Sequence, residues 1–349
     1  AKAQLPLLRA TRQSMAIRVA ALAAVLLPAV SAFSPLRMSP GRVTPLPRSR
    51  RGASGGALWM VGNNEPIRIT DEEDWVDQEP AFEDGRNLFL NKANPEQRIC
   101  YDAFYGTEEL SIVVLPYLNT PKNQGFAANI EGWCRRNGFT YICADYHGVS
   151  KSGGDLSKGT VTRWTEDTIQ LLEKAVPGKA VLVGAAVGGW VMMRVAMRRP
   201  DLVAALVGVS CDPDFTEELL WNGLNEDDKA AIMENGEHEI TWGDTKYLVS
   251  RALVEDGRKN LVLSGGPNSV DIDAPVRLVH GMMDEEVPIS MALRLVEALR
   301  TDDVKLSFLK RGTHFVDQEG EYNELRRAIE DAVDAAKTYV YDLTSPGSG

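Results

Sequence analysis

At 349 residues, 44% hydrophobic and 25% charged, the chain is ordinary globular material with no evident repeat, long enough to bury the core of one large α/β domain. The net charge of −11 hides an asymmetry: residues 1–60 carry nine Lys and Arg and no acid, leaving 29 basic against 49 acidic residues beyond them, a balance of −20. Such an excess makes the folded part a poor candidate for binding nucleic acid or anionic membrane surfaces.

Met15 is followed by Arg18 and the apolar run VAALAAVLLPAV. Its length suits the core of a signal peptide and is too short to span a bilayer comfortably. Val30, Ser31 and Ala32 make a small-residue cleavage site before Phe33, and the following FSPLRMSPGRVTPLPRSRRGASGG is rich in Arg, Ser and Pro without acid. Residues 1–60 are therefore expected to be a targeting leader, a signal peptide from Met15 and then a transit-like segment, with residues 1–14 ahead of the true start. That order, with Phe first after cleavage, resembles the bipartite plastid leaders of algae with red-lineage plastids. A mitochondrial presequence and plain secretion are the alternatives, and no transmembrane span is expected in the mature chain.

Residues 61–97, with ITDEEDWVDQEP, are acidic and read as an exposed linker or arm. The ordered domain is expected over 98–345. It alternates strands (99–105, 111–115, 140–145, 180–183, 203–209) with amphipathic helices (126–136, 162–175, and one after 186). Continuous apolar strands between such helices predict an α/β fold, a mostly parallel sheet with helices on both faces. Residues 212–269 break the alternation with acidic, helix-patterned stretches (FTEELLWNGL, KAAIMENG, TKYLVSRAL) too long for a simple connection, and read as a helical cap inserted over the strand ends. The alternation resumes with a strand at 276–279, a helix at 289–299, a strand at 304–309 and a closing helix at 322–339.

The stretch VLVGAAVGGW, Val181 to Trp190, runs from strand through a Gly-x-x-x-Gly turn straight into helix. A hydrolase elbow has that form and places serine at its middle position, which here is Ala186. With DYHGVSKSGGD, RWTEDTIQLL, RRPDLVAALVGV and RLVHGMMDEEVP, the chain from Ser111 to Tyr339 resembles the α/β-hydrolase-fold superfamily, most nearly the branch of the animal mitochondrial acyl-glucuronide esterase and palmitoyl-protein thioesterase. The resemblance implies Asp284 as catalytic acid and His314 as base, with Ala186 standing inactive at the nucleophile position. It also implies an oxyanion hole from the backbone N–H groups of Val187 and Leu118. Tyr117 occupies the place where relatives have glycine, and puts bulk where substrate should lie.

An apolar acyl-type pocket under the cap is expected to use Tyr117, Leu118, Met192, Met282 and Met283. Cys100, Cys134, Cys143 and Cys211 form no CxxC pair and read as reduced core thiols, so no metal and no cofactor is expected. Cys211 and Ser210, on the same rim of the sheet, are the alternative nucleophiles weighed against the elbow. Among the histidines, His280 reads as structural, and His147 and His238 have no assigned role.

Three functions follow from these residues. The first is a carboxylic-ester or thioester hydrolase relative, depalmitoylase-like, impaired at Ala186 and retained to bind a small acyl or ester-type ligand or a protein partner. A serine esterase or thioesterase with its nucleophile replaced deliberately is the second, which explains why Asp284 and His314 persist. The third is catalysis by His314 and Asp284 without a serine.

Overall fold

The computed structural model describes residues 82–344 apart from 119, 243 and 244. The expected leader, and the linker as far as residue 81, lie outside the described residues. The domain opens with three strands, β1 (Gly85–Leu90), β2 (Ile99–Phe104) and β3 (Ser111–Leu115). Helices and strands then alternate through α1 (Gly125–Asn137), β4 (Thr140–Ala144), α2 (Val161–Ala175), β5 (Ala180–Ala185), α3 (Val187–Arg198) and β6 (Val203–Val209). After an insertion, β9 (Val276–Gly281), α6 (Ile289–Ala298), β10 (Val304–Leu309) and α7 (Glu319–Thr344) complete it.

The eight strands form one sheet in the order β1-β2-β4-β3-β5-β6-β9-β10. Pairing is antiparallel from β1 to β2 and from β2 to β4, and parallel from there on. Every residue of β3, β5, β6 and β9 is buried, as a sheet covered on both faces requires. One cover is α2, α3 and α6, whose Trp164, Trp190 and Leu295 join the larger core. The opposite cover is α1 and α7, with Phe126, Ile130 and Ile329. Each such side chain contributes about 1.5–3 kcal/mol through burial. Local signals fix the helix ends: Thr160 accepts from Arg163 N–H at 3.1 Å to start α2, and Gly138 at φ 74° ends α1.

Two expectations need correction. The domain begins ahead of Arg98, because residues 85–90 of the expected linker form edge strand β1. Asn87, at φ 54°, donates its N–H to Asp102 at 2.7 Å, and Arg86 pairs with Asp102 and Glu131. The acidic composition upstream masked a short GRNLFL strand held by charges it could not itself reveal. Second, the insertion over 212–269 is mixed rather than helical. A wide turn at Thr216–Leu220 and helix α4 (Glu226–Asn235) lead into a hairpin of β7 (Glu237–Trp242) and β8 (Thr245–Ser250), followed by α5 (Arg251–Gly257). Gly236 at φ 86° stops α4 and turns the chain into β7, whose pairing claims TKYLVS as strand in place of the expected helix. Leu220, Ile232, Ile240, Val249 and Val254 give this cap a small core of its own.

The cap is anchored by Asp214, whose buried carboxylate accepts from the N–H groups of Val262 and Leu263, both at 2.8 Å. Asp214→Ala strands both donors, and the loss of two charge-assisted bonds is expected to cost about 2–4 kcal/mol in urea unfolding. A loss below about 0.5 kcal/mol would show that the anchor contributes nothing.

Candidate active site

Parallel strands bring their C-terminal ends to one rim, and the loops that leave them build the site. At the end of β5 the chain turns so sharply that a Cβ on Gly184 would strike the Gly188 carbonyl, and one on Gly188 would strike Leu115. Between them Ala186 takes φ 48° and ψ −118°, a conformation that strains an L residue by about 1–3 kcal/mol. Ala186 N–H donates to Val209 O on β6 at 3.0 Å, and Gly189 N–H donates to Ala186 O at 2.8 Å, so the turn is held from both sides. Val187 opens α3, and its N–H is one of the helix-terminal donors that have no acceptor within the helix.

Asp284 sits in the loop after β9. Its Oδ1 accepts from the N–H groups of Glu286 at 2.9 Å and Val287 at 2.8 Å, which leaves Oδ2 to face His314 Nδ1 at 3.1 Å. His314 follows β10 and is buried. Its Nε2 has Glu286 Oε2 at 3.8 Å. Burial works to lower the imidazole pKa, but the hydrogen bond and charge of Asp284, with Glu286 and Asp212 behind it, outweigh burial and hold it above the ordinary value. Burial likewise works to raise Asp284, and His314 together with the two backbone donors outweighs it and holds the carboxylate below its usual range.

A cavity of about 270 Å³ lies between this rim and the cap. Ala186, Val187, Leu118, Tyr117 and His314 all line it, so the elbow tip, both expected oxyanion donors and the imidazole share one chamber. The Tyr117 hydroxyl is committed elsewhere: it donates to His314 O at 3.0 Å and accepts from Val316 N–H at 3.4 Å, while the ring packs against Phe126, His314 and Phe315. The tyrosine thus fastens the His314 loop while also lining the cavity.

The three methionines expected in the pocket do not line it. Met192 is fully buried against the sheet, one turn into α3 and beside Gly208. Met282 and Met283 are 49% and 57% exposed, because their backbone N–H groups bond to Leu309 O and Gly312 O and turn both side chains outward. The apolar wall comes instead from the cap, through Phe215, Leu219, Leu220, Leu248, Val249 and Leu253. Cys211 is also no part of the chamber. Its Sγ lies where a Cβ on Gly189 or Gly208 would fall, and burial pushes the thiol far above its ordinary pKa. His280 is buried with Nε2 3.1 Å from Val287 O, and His238 pairs with Asp228 at 3.1 Å; His147 is packed against Gly154. Among the described residues no cluster of three His, Cys, Asp or Glu is arranged to hold a metal ion, and no helix is long and apolar enough to cross a membrane.

Sequence reasoning missed two acids on the lining, Asp212 and Glu286. Glu286 lies inside the DEEVP stretch, and Asp212 directly follows the cysteine weighed as a nucleophile, so the signal was a carboxyl on the same rim.

The His314–Asp284 pair sets a pH dependence. A folded pKa above the unfolded one makes protonated His314 stabilising; that contribution is full below about 6.5 and is lost as pH rises through the higher folded value. Asp284, held below its ordinary 3.8, contributes above that pH and loses its contribution as pH falls through the lower folded value. The unfolding free-energy difference between the wild type and Asp284→Asn should therefore be greatest between these limits and shrink as pH rises through the raised His314 pKa, with the His314 imidazole titrating lower in the variant by NMR. A difference flat across that range would contradict the pairing.

Residues 125–328 match the model of the prolyl oligopeptidase family, more than half of the chain. Among curated proteins, the mitochondrial palmitoyl-protein thioesterase ABHD10 of Mus musculus is 28% identical over 255 residues, which cover 72% of this chain and 84% of that one. The Homo sapiens counterpart is 28% identical over 229 residues, 65% of this chain and 72% of its own. Among solved structures, a hydrolase of Agrobacterium vitis S4 superposes with a TM-score of 0.66 at 29% identity, covering 70% of this chain and 97% of that one. Mouse alpha/beta hydrolase domain-containing protein 10 superposes with a TM-score of 0.63 at 26% identity, covering 71% and 98%. With its parallel sheet, its elbow and the acid and imidazole at the strand ends, the chain belongs to the prolyl oligopeptidase family of α/β hydrolases and is related to the palmitoyl-protein thioesterase branch.

Proposed function

We propose that this chain is a relative of the ester and thioester hydrolases that has lost most of its hydrolytic power and keeps its cavity for an apolar acyl-type ligand, in a binding or regulatory role. The observation that carries the reading is the residue at the elbow tip. Ala186 stands in the strained position that aims a nucleophile into the cavity, and its methyl group has neither a proton for His314 nor a lone pair for a carbonyl carbon. Elsewhere, in subtilisin, loss of the serine alone lowers turnover by about 10⁶, close to the loss of the whole triad.

The remaining groups have definable roles in such a site. His314, oriented by Asp284, would accept a proton from a nucleophile at position 186 and return it to the leaving group. The Val187 and Leu118 N–H groups would hold the carbonyl oxygen as it gains charge. Palmitoyl thioesters are the substrates in the names of the mouse and human relatives, and the apolar cap wall supports a ligand of that kind here. The leader's composition supports delivery to a plastid of red-algal descent, with mitochondrial and secretory routing as the competing destinations.

A second reading is favoured by the intact 3.1 Å pairing of Asp284 and His314: a working serine hydrolase in which alanine has been exchanged for the serine. In the third, His314 acts as a general base without any serine.

One comparison separates them. On p-nitrophenyl butyrate and a palmitoyl thioester, the chain as it stands should show no turnover above background, and Ala186→Ser should gain it with a burst phase, by several orders of magnitude and up to about 10⁶. Adding His314→Ala to that variant should abolish the gain. Turnover by the unaltered chain that disappears in His314→Ala would support the third reading instead. If neither form turns over, the ester-hydrolase machinery has gone beyond one side chain.

A further inference from the structure

The cavity carries two acids that the Asp284–His314 pair and the elbow leave over. Asp212 leaves the end of β6, and its Oδ1 is enclosed with no hydrogen-bond partner. A carboxyl group in that position is ordinarily paired, because desolvation without a partner is costly. Glu286 lines the same cavity from the loop after β9, with His314 Nε2 at 3.8 Å and the Tyr247 hydroxyl at 3.4 Å. Positive charge is scarce around them. His314 already serves Asp284, and Lys246, the only Lys or Arg on the cavity lining among the described residues, is 70% exposed and bonded to Glu239 at 2.6 Å. The rest of the wall is the aliphatic and aromatic surface of the cap.

From a carboxyl with one unpartnered oxygen and a second acid on the lining of one apolar cavity, we propose that this chain binds an amphiphile with a protonated amine head, its ammonium on Asp212 and Glu286 and its hydrocarbon body against Phe215, Leu219, Leu220 and Leu253. The inference rests on the cavity being a ligand site, and adds the head group. An ammonium brings three donors and a positive charge, enough for the free oxygen of Asp212 and for Glu286 together. Burial pushes the Asp212 carboxyl well above the usual carboxylate range, against the pull of His314 and with the help of Asp284 and Glu286; a cation alongside favours the ionised form and pairs with it. A carboxylate-headed amphiphile meets like charge at the same place and is rejected. A neutral alcohol can satisfy one oxygen without compensating any charge.

The test is titration calorimetry on the full chain with octylamine, octanol and octanoate, each below its micellar concentration. Octylamine should bind at least about tenfold more tightly than octanol, the least that a charge-assisted hydrogen bond contributes, and octanoate most weakly. Asp212→Asn and Glu286→Gln should each reduce the amine's advantage over octanol. Asp212→Asn should also melt no lower than the wild type without amphiphile, since it removes a buried acid whose Oδ1 accepts no hydrogen bond. Equal affinity for amine and alcohol, or an advantage that survives both substitutions, overturns the proposal. Turnover by Ala186→Ser without an amine preference overturns the head group and leaves the hydrolase-remnant reading standing; an amine preference without turnover supports the head group and shows that the hydrolytic machinery has gone beyond one side chain. Failure of all three amphiphiles to bind overturns the ligand site itself.

Discussion

Two residues at neighbouring strand ends are held in left-handed backbone by hydrogen bonds to the next strand over. Ala186, at φ 48°, donates its N–H to Val209 O on β6, and Ser210, at φ 44°, donates to Val279 O on β9. Neither conformation is one that alanine or serine adopts readily, so each depends on the strand beside it for its persistence. The rim is thereby built in sequence from β5 to β6 to β9. The elbow tip, the departure point of Asp212 and the loop of Asp284 keep their mutual positions because the parallel register of the sheet keeps theirs.

The strain at Ala186 bears on what kind of molecule this is. In a hydrolase, a sharp turn exposes an attacking oxygen, and the local cost is recovered as catalysis. Here the turn remains while the oxygen is absent. The tight approach of Gly188 to Leu115 and the bond from Ala186 to β6 also fasten α3 to the sheet, so the same backbone serves packing whatever side chain it carries.

Much of this was legible before any coordinates. Buried strands such as AVLVGA and VAALVGV carry no polar residue, amphipathic helices stand between them, and that alternation specifies a parallel sheet. Asp284 and His314 could be placed because each closes a strand in a recognisable loop. The failures have physical causes. Met282 and Met283 neighbour the acid in sequence, but the backbone bonds to the β10 loop point them outward, and no periodicity reports such bonds. TKYLVS reads equally as helix or strand until its partner HEITW is beside it. Strand β1 depends on Arg86 reaching Asp102 and Glu131, 16 and 45 residues away along the chain. Asp212 is one acid in a line of text and becomes informative only once its Oδ1 is seen to be buried without a hydrogen bond.

Tyr117 joins two loops that come from opposite ends of the domain's sequence, the one after β3 and the one after β10, through a single hydroxyl that serves His314 O and Val316 N–H at once. Without that hydroxyl the same two loops would be free to adjust separately. This chain has welded them, so any displacement of the imidazole loop is carried into the backbone at Leu118. A substitution that removes the hydroxyl at position 117 would therefore loosen the base and the Leu118 backbone in the same step.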